Sequence, residues 1–143
     1  MNSSFAERAA VRASAGFTLL EMLAVIVLIG VIAGIVSSKV IDSINRGKWD
    51  AGKAQLSKLD GAIERYALDN GVFPSKLDDL VNKPPAAAAW RGPYLKPSEV
   101  KDPFGYAFFY RAPGEHGAFD IVFYGKDGKP GGSDFDRDAA NWE

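Results

Sequence analysis

Hydrophobic and polar positions divide the chain into three stretches of different character. Residues 1–16 are small and polar, with Arg8 and Arg12 ahead of a long apolar run. From Met22 to Ser38 no residue is charged. Together with Phe17–Glu21 this run reaches the roughly 20 residues that a helix needs to cross a hydrocarbon core about 30 Å thick. Basic residues before such a span hold its N-terminus on the cytoplasmic side, so the remainder of the chain is expected to face outward. An ordinary secretory signal would have a shorter apolar core followed by a small-residue cleavage site, and none follows Ser38.

Beyond the apolar run the pattern becomes that of an amphipathic helix. Trp49, Gly52, Leu56, Leu59, Ile63 and Tyr66 recur in steps of three and four, while Lys48, Asp50, Lys53, Lys58, Asp60 and Arg65 occupy the other sides. The spacing predicts one helix from Phe17 to Asp69, closed by Asn70-Gly71 as a left-handed cap with Pro74 beyond. At 1.5 Å per residue it would be roughly 80 Å long, so its first half must be buried in a bilayer and then among copies of itself. Ser75-Lys-Leu-Asp78 reads as a capping box opening a short helix to Val81, and Lys83–Trp90 as a loop. Tyr106–Arg111 and Ala118–Tyr124 are aromatic and β-branched runs joined by Ala112-Pro-Gly-Glu-His-Gly117, which predicts a hairpin. Trp49 and Tyr66 are expected to pack against its face. A Gly- and Asp-rich tail follows Tyr124.

Composition narrows the functional classes. At 143 residues there is room for one domain. Net charge is −1, and no clustered Lys and Arg offer a phosphate-binding stripe, so nucleic acid is not an expected partner. Without cysteine, thiolate chemistry and disulfides are excluded, and a small exported domain then needs another staple, of which a bound metal is one. His116, the only histidine, lies in the hairpin turn with no nucleophile in a recognisable motif, and a surface role is expected. Nothing in the chain points to an enzyme. Gly30-Val-Ile-Ala-Gly34 is a small-xxx-small pattern that permits close helix approach.

Glu21 is the most informative residue. A carboxylate in an apolar span costs about 2.5–3.5 kcal/mol on insertion scales. Taken alone it reads equally as an interfacial side chain or one awaiting a partner. A cut after Gly16 would create an ammonium at Phe17, one helical turn away. Gly16-Phe17-Thr18-Leu19-Leu20-Glu21 followed by an unbroken apolar helix resembles the class III signal of type IV pilins and type II secretion pseudopilins. The resemblance implies cleavage after Gly16 by a prepilin peptidase, N-methylation of Phe17, and pairing of its ammonium with Glu21 between subunits during assembly. Such a pair sets register more than it adds stability, because desolvation consumes much of the Coulomb gain. The family commonly carries a proline in the second half of this helix, where the chain has Ser38, so local unwinding near Gly30–Ser38 is left open.

Tyr66–Pro74, Asp102-Pro-Phe-Gly105, Pro113–Gly117 and Tyr124-Gly-Lys-Asp-Gly128 are similar, in order and spacing, to the major pseudopilins of type II secretion. Those proteins hold their C-terminal region with calcium where type IVa pilins use a disulfide. Asp127, Asp134, Asp136 and Asp138 gather hard oxygen ligands in a glycine-rich stretch. Asp134-Phe-Asp-Arg-Asp138 starts like an EF-hand loop but lacks the sixth-position glycine. The resemblance assigns calcium to Asp127, Asp134 and Asp138, with backbone carbonyls near Tyr124 and Lys126, and leaves Asp136 a lesser role. Trp142 either covers this loop or is exposed.

The expected fold is thus an α+β pilin fold. Residues 1–16 form a cleaved leader, 17–38 a transmembrane and assembly helix, and 39–143 a periplasmic globular domain with a small antiparallel sheet and a C-terminal calcium loop. By resemblance the chain is a repeating filament subunit in the bacterial inner membrane. Its expected partners are further copies of itself, minor pseudopilins, the prepilin peptidase, an inner-membrane assembly platform with its secretion ATPase, and an outer-membrane secretin. The alternative is a type IV pilin for adhesion, motility or DNA uptake, which would show a C-terminal disulfide and, for DNA, a basic stripe. A tethered hydrolase would need convergent catalytic groups.

Overall fold

The computed structural model describes residues 16–143, so the leader with Arg8 and Arg12 lies outside the described residues apart from Gly16. Helix α1 runs Leu19–Asn70, two residues shorter at its start than the sequence pattern predicts. The chain divides into two compact units at Lys39 and Val40.

In the first unit, every described residue from Gly16 to Lys39 is exposed. A helix that is apolar all round has no core face to hide and requires hydrocarbon or neighbouring helices. The helix passes through Gly30–Ser38 without a break. Ser37 Oγ donates to the Ala33 carbonyl at 2.7 Å and Ser38 Oγ to that of Ile35 at 2.9 Å. Both hydroxyls are therefore satisfied within the helix, as a surround without water demands.

In the second unit the predicted stripe is the buried face of α1: Trp49, Gly52, Leu56, Leu59, Ile63 and Tyr66, joined by Ala62. The stripe packs on a three-stranded antiparallel sheet in the order β1 (Phe109–Arg111), β2 (Asp120–Phe123) and β3 (Ala139–Ala140). Register pairs Phe109 with Val122 and Arg111 with Asp120, then Phe123 with Ala139. The central strand β2 is buried at all four positions. The hairpin is thus as predicted though shorter, while β3 lies in what the sequence reads as an irregular tail. Gly52 admits Phe123 to the helix surface: a Cβ there would stand 2.5 Å from the Phe123 ring.

Gly71 closes α1 with φ 75°, its N–H donating to the Ala67 carbonyl at 2.8 Å. The turn that follows is a 3₁₀ helix, Leu77–Leu80. The carboxylate that accepts from the N–H groups just before it is Asp79, not Asp78: Asp79 Oδ2 takes Ser75 N–H at 2.9 Å and that of the N-cap residue Lys76 at 3.2 Å. A second short 3₁₀ turn, Pro97–Glu99, is tied to α1 by Gln55, which donates to the Glu99 and Lys101 carbonyls at 2.6 Å each. Lys58 pairs with Glu99 beside it.

Among the described residues three carboxylates are buried, Asp79, Asp102 and Asp120. Each organises a loop through backbone N–H groups. Asp102 Oδ1 accepts from Phe104 and Tyr106 at 2.8 and 3.0 Å. Asp120 accepts from the N–H groups of Glu115 at 2.8 Å and His116 at 3.1 Å, and from the Arg111 guanidinium at 3.1 Å. Burial alone would raise the Asp120 pKa, but these donors outweigh it and hold it down at about 2. Because the folded value lies below the unfolded one, the stabilisation is complete above about pH 4 and is lost as pH falls through about 2. Asp120→Asn should therefore lower the melting temperature at neutral pH and flatten its fall between pH 4 and 2. Melting curves followed by circular dichroism test this, and an unchanged acid slope in the variant would remove Asp120 from the account.

Candidate functional site

Two groups of sequence-predicted residues lie at opposite ends of the chain. At the N-terminal end, Gly16 and Phe17 are exposed, and α1 begins at Leu19 with Thr18 as its N-cap. Thr18 N–H donates to Glu21 Oε2 at 2.8 Å, and Glu21 N–H donates to Thr18 Oγ1 at 3.1 Å. This reciprocal pair is a capping box that satisfies two of the helix's orphan donors. The sequence reading missed it, although its signal, Thr18-Leu-Leu-Glu21, lies within the motif. Within one subunit Glu21 is thus a helix cap, and its Oε1 has no hydrogen bond among the described residues.

At the C-terminal end the chain from Tyr124 to Asp138 turns through five left-handed positions. Gly125, Gly128, Gly131 and Gly132 have φ of 67°, 65°, 87° and 108°, and Asp134 has φ 52°. Gly125 also meets the returning chain closely, since a Cβ there would stand 2.7 Å from the Phe135 carbonyl oxygen. The loop closes through Lys126 N–H to the Phe135 carbonyl at 2.8 Å. Asp127 Oδ1 accepts from Lys129 N–H at 3.1 Å, and Asp138 Oδ2 from Gly131 N–H at 2.8 Å. Asp138 Oδ1 is buried without a partner. Asp134 is exposed and lines a cleft against α1. Asp127, Asp134 and Asp138 therefore share one loop, but among the described residues no three carboxylate or imidazole groups converge at metal-binding spacing.

Asp127, Asp134 and Asp138 are hard oxygen donors on that one loop. No ion pair links Asp127, Asp134, Asp136 or Asp138 to a Lys or Arg among the described residues. A buried carboxylate oxygen left unpartnered is costly, and a cation is one group that satisfies it.

The last residues hold the loop to the rest of the domain. Trp49 Nε1 donates to the Arg137 carbonyl at 3.1 Å. Asn141 Oδ1 accepts from Ile121 N–H at 2.9 Å, while its Nδ2 donates to Asp60 Oδ1 at 3.2 Å and the Phe119 carbonyl at 3.3 Å. Trp142 stacks on His116, ring centroids 3.9 Å apart and planes within 9°, and His116 Nδ1 lies 3.3 Å from Asp120 Oδ2. His116 therefore carries the tail. Asn141 escaped the sequence reading because a single amide near a terminus has no pattern.

The comparisons with known proteins agree with this architecture. Residues 39–142 match the family model described as type II secretion system (T2SS), protein G, and residues 11–37 that of the prokaryotic N-terminal methylation motif. The chain belongs to the type II secretion system protein G family, a family of structural pilin-like secretion proteins and not of enzymes. Among its relatives is the type II secretion system core protein G of Xanthomonas campestris pv. campestris, 50% identical over 124 residues, covering 87% of each chain. That of Pseudomonas aeruginosa is 39% identical over 139 residues, 92% of this chain and 97% of the relative. The crystal structure of the major pseudopilin from the type 2 secretion system of enterohaemorrhagic Escherichia coli matches with a TM-score of 0.57 at 28% identity, covering 71% of this chain and 92% of that one. The expected pseudopilin fold, a long N-terminal helix and a small antiparallel sheet, is thereby established, and the single apolar N-terminal helix fits an inner-membrane anchor.

Asn141→Ala removes three hydrogen bonds and leaves the Ile121 N–H unpaired. It should cost about 1–3 kcal/mol, read as a lower urea midpoint with an unchanged slope. A variant as stable as the parent would show that the tail is not held by this amide.

Proposed function

We propose that this chain is the major pseudopilin of its secretion system, the repeating subunit of a periplasmic filament that drives folded proteins outward across the outer membrane. The observation that supports this best is the exposed, uncharged helix surface of residues 22–38 at the head of a protein G domain, with a single carboxylate at Glu21. In this reading a prepilin peptidase cuts after Gly16 and Phe17 becomes the methylated N-terminus. The mature subunit waits in the inner membrane as a single-pass protein with its globular domain in the periplasm. Subunits then add head to tail through a contact that does not close on itself and so grows a filament. The growth is driven by the secretion ATPase through the assembly platform, with minor pseudopilins and the outer-membrane secretin as the other partners.

Glu21 has two roles in this scheme, in sequence. In the single subunit its carboxylate caps α1 through Thr18. In the filament its remaining lone pairs accept the Phe17 ammonium of a neighbour, which removes an uncompensated charge from a surround of low dielectric. Glu21→Val should therefore still be processed, with mass spectrometry finding Phe17 as the N-terminus, but should abolish filaments and secretion. Normal filaments in that variant, or a parent N-terminus elsewhere, would overturn the scheme.

We read the C-terminal loop as the site of a structural calcium ion, a reading supported by the unpartnered Asp138 Oδ1. Asp127, Asp134 and Asp138 would hold it, with backbone carbonyls near Tyr124 and Lys126. Calcium would supply fixed positive charge there when bound, while the glycines turn the backbone and Asn141 anchors the exit. A ligand that binds only the folded state stabilises it by RT ln(1 + [L]/Kd), about 2.7 kcal/mol at 100 times Kd. A fragment beginning near Lys39 should melt at lower temperature in chelator and recover with calcium but poorly with magnesium, which demands tighter octahedral geometry. Asp127→Ala and Asp134→Ala should each abolish the response, and Asp136→Ala should not. A parent fragment indifferent to calcium would sink the site.

A further inference from the structure

A cleft of roughly 270 Å³ lies within the second unit, between the last turns of α1 and the loop Lys83–Trp90, with Tyr66, Asn70, Phe73, Asp79, Pro84 and Ala87 in its wall. It is smaller than the roughly 300–1,000 Å³ of sites for drug-sized ligands, so it suits a single side chain or a molecule of that size. Its open polar groups are acceptors. The Asn70 amide is oriented by Nδ2, which donates to the Tyr66 carbonyl at 3.0 Å, and this leaves Oδ1 buried without a partner. Such an acceptor is costly and calls for a donor. Asp79 is 5% exposed. Its Oδ2 takes the Ser75 and Lys76 N–H groups, while its Oδ1 has no hydrogen bond and the carboxylate no ion pair among the described residues. That negative charge is felt in the cleft, since desolvation first and then Asp79 raise the pKa of Tyr66.

The remaining wall decides what donor fits. No Lys or Arg stands in it, so nothing there answers an anion. Tyr66 and Phe73 bring aromatic rings, whose negative faces attract cations, and Phe73, Pro84 and Ala87 are apolar surface for a stem. A bare calcium ion would want six to eight oxygen ligands, and the wall offers two open ones. A guanidinium brings five donors in a rigid plane, more than two acceptors can satisfy. An ammonium carries one compact charge and three donors on an apolar chain.

We propose that this cleft binds the ammonium end of an unbranched alkylamine, the chemistry of a lysine side chain. The ammonium donates to Asn70 Oδ1 and Asp79 Oδ1, and its stem lies along Phe73, Pro84 and Ala87. The same group is carried by a free amine and by a lysine of a second copy of the chain.

The test titrates N-acetyl-lysine N-methylamide into the ¹⁵N-labelled mature chain in uncharged maltoside micelles, following the Asn70 side-chain amide and the Ser75 and Lys76 N–H groups by NMR. These signals should move together with a Kd of about 1 mM, and the same probe acetylated at its ε-nitrogen should bind about tenfold more weakly. Asp79→Asn keeps an acceptor for the turn and removes the charge, so it should weaken the parent probe about tenfold as well. Ser75→Lys touches neither acceptor but sets an ammonium at the mouth of the cleft, and should abolish binding with the Phe123 core signals unmoved. An equal response to the acetylated probe, shifts confined to other residues, or full affinity in a folded Ser75→Lys chain would overturn the proposal. Carbodiimide coupling in a mixture of ¹⁴N and ¹⁵N chains separates the sources. An amide between Asp79 and a lysine of the other label assigns the group to a second copy, and its absence with the probe still bound assigns it to a free amine. Coupling of Asp79 to Lys76 or Lys83 of its own chain would overturn the proposal, because the cleft would then be filled from within.

Discussion

The globular unit depends on one contact, the ring of Phe123 against the backbone of Gly52. Phe123 has no exposed surface. Its ring lies 6.3 Å from Trp49, 6.3 Å from Phe104 in a stacked pair and 5.9 Å from Phe108. It thereby joins the helix stripe, the loop before the hairpin and the central strand in a single packed cluster. A methyl group at position 52 would force strand and helix apart, and overpacking of this kind costs about 1–3 kcal/mol. The distance between helix and sheet is set there, and the flanking strands are positioned from it.

A sheet of this size cannot cover 31 residues of helix by itself, and much of the domain is loop. Where a small exported domain commonly uses disulfides, this chain uses buried carboxylates. Asp79, Asp102 and Asp120 each gather backbone N–H groups from a turn that has no secondary structure to pair them. The arrangement is cheap in residues because one carboxylate can accept several bonds. Tyr110 adds a neutral version, its partly buried hydroxyl donating to the Pro74 carbonyl at 2.8 Å and its pKa pushed up to about 12 by desolvation and then by the negative charge of Asp79.

Much of this was legible in the sequence, for identifiable reasons. The stripe from Trp49 to Tyr66, the glycine cap at Gly71 and the hairpin are written in periodicity and turn chemistry, which act locally. Strand β3 was not legible, because two alanines carry no strand pattern and are made a strand only by pairing with Val122 and Phe123. The pattern Ser75–Asp78 points to Asp78 where the structure uses Asp79, since the 3₁₀ turn starts one residue later than an α-helical reading places it. Asp127, Asp134 and Asp138 share one turning loop, but the direction of each side chain is a matter of three-dimensional detail that spacing does not carry. The tail's partners, Asp60 for Asn141 and His116 for Trp142, are distant in sequence and were hidden for the same reason.

Those distant partners have a consequence for how the subunit is made. Trp49 is bound to Arg137, and Asp60 to Asn141, across separations of 88 and 81 residues. The helix is synthesised first and its last fastenings are synthesised last. Closing so long a loop comes late in any folding order, because its entropy is lost before its contacts form. A chain that emerges with its N-terminal segment first therefore carries an incompletely covered apolar helix face until Arg137 and Asn141 have emerged. Emergence of residues as far along as Asn141, rather than of any shorter length, is the event that lets the unit fasten both ends of its helix.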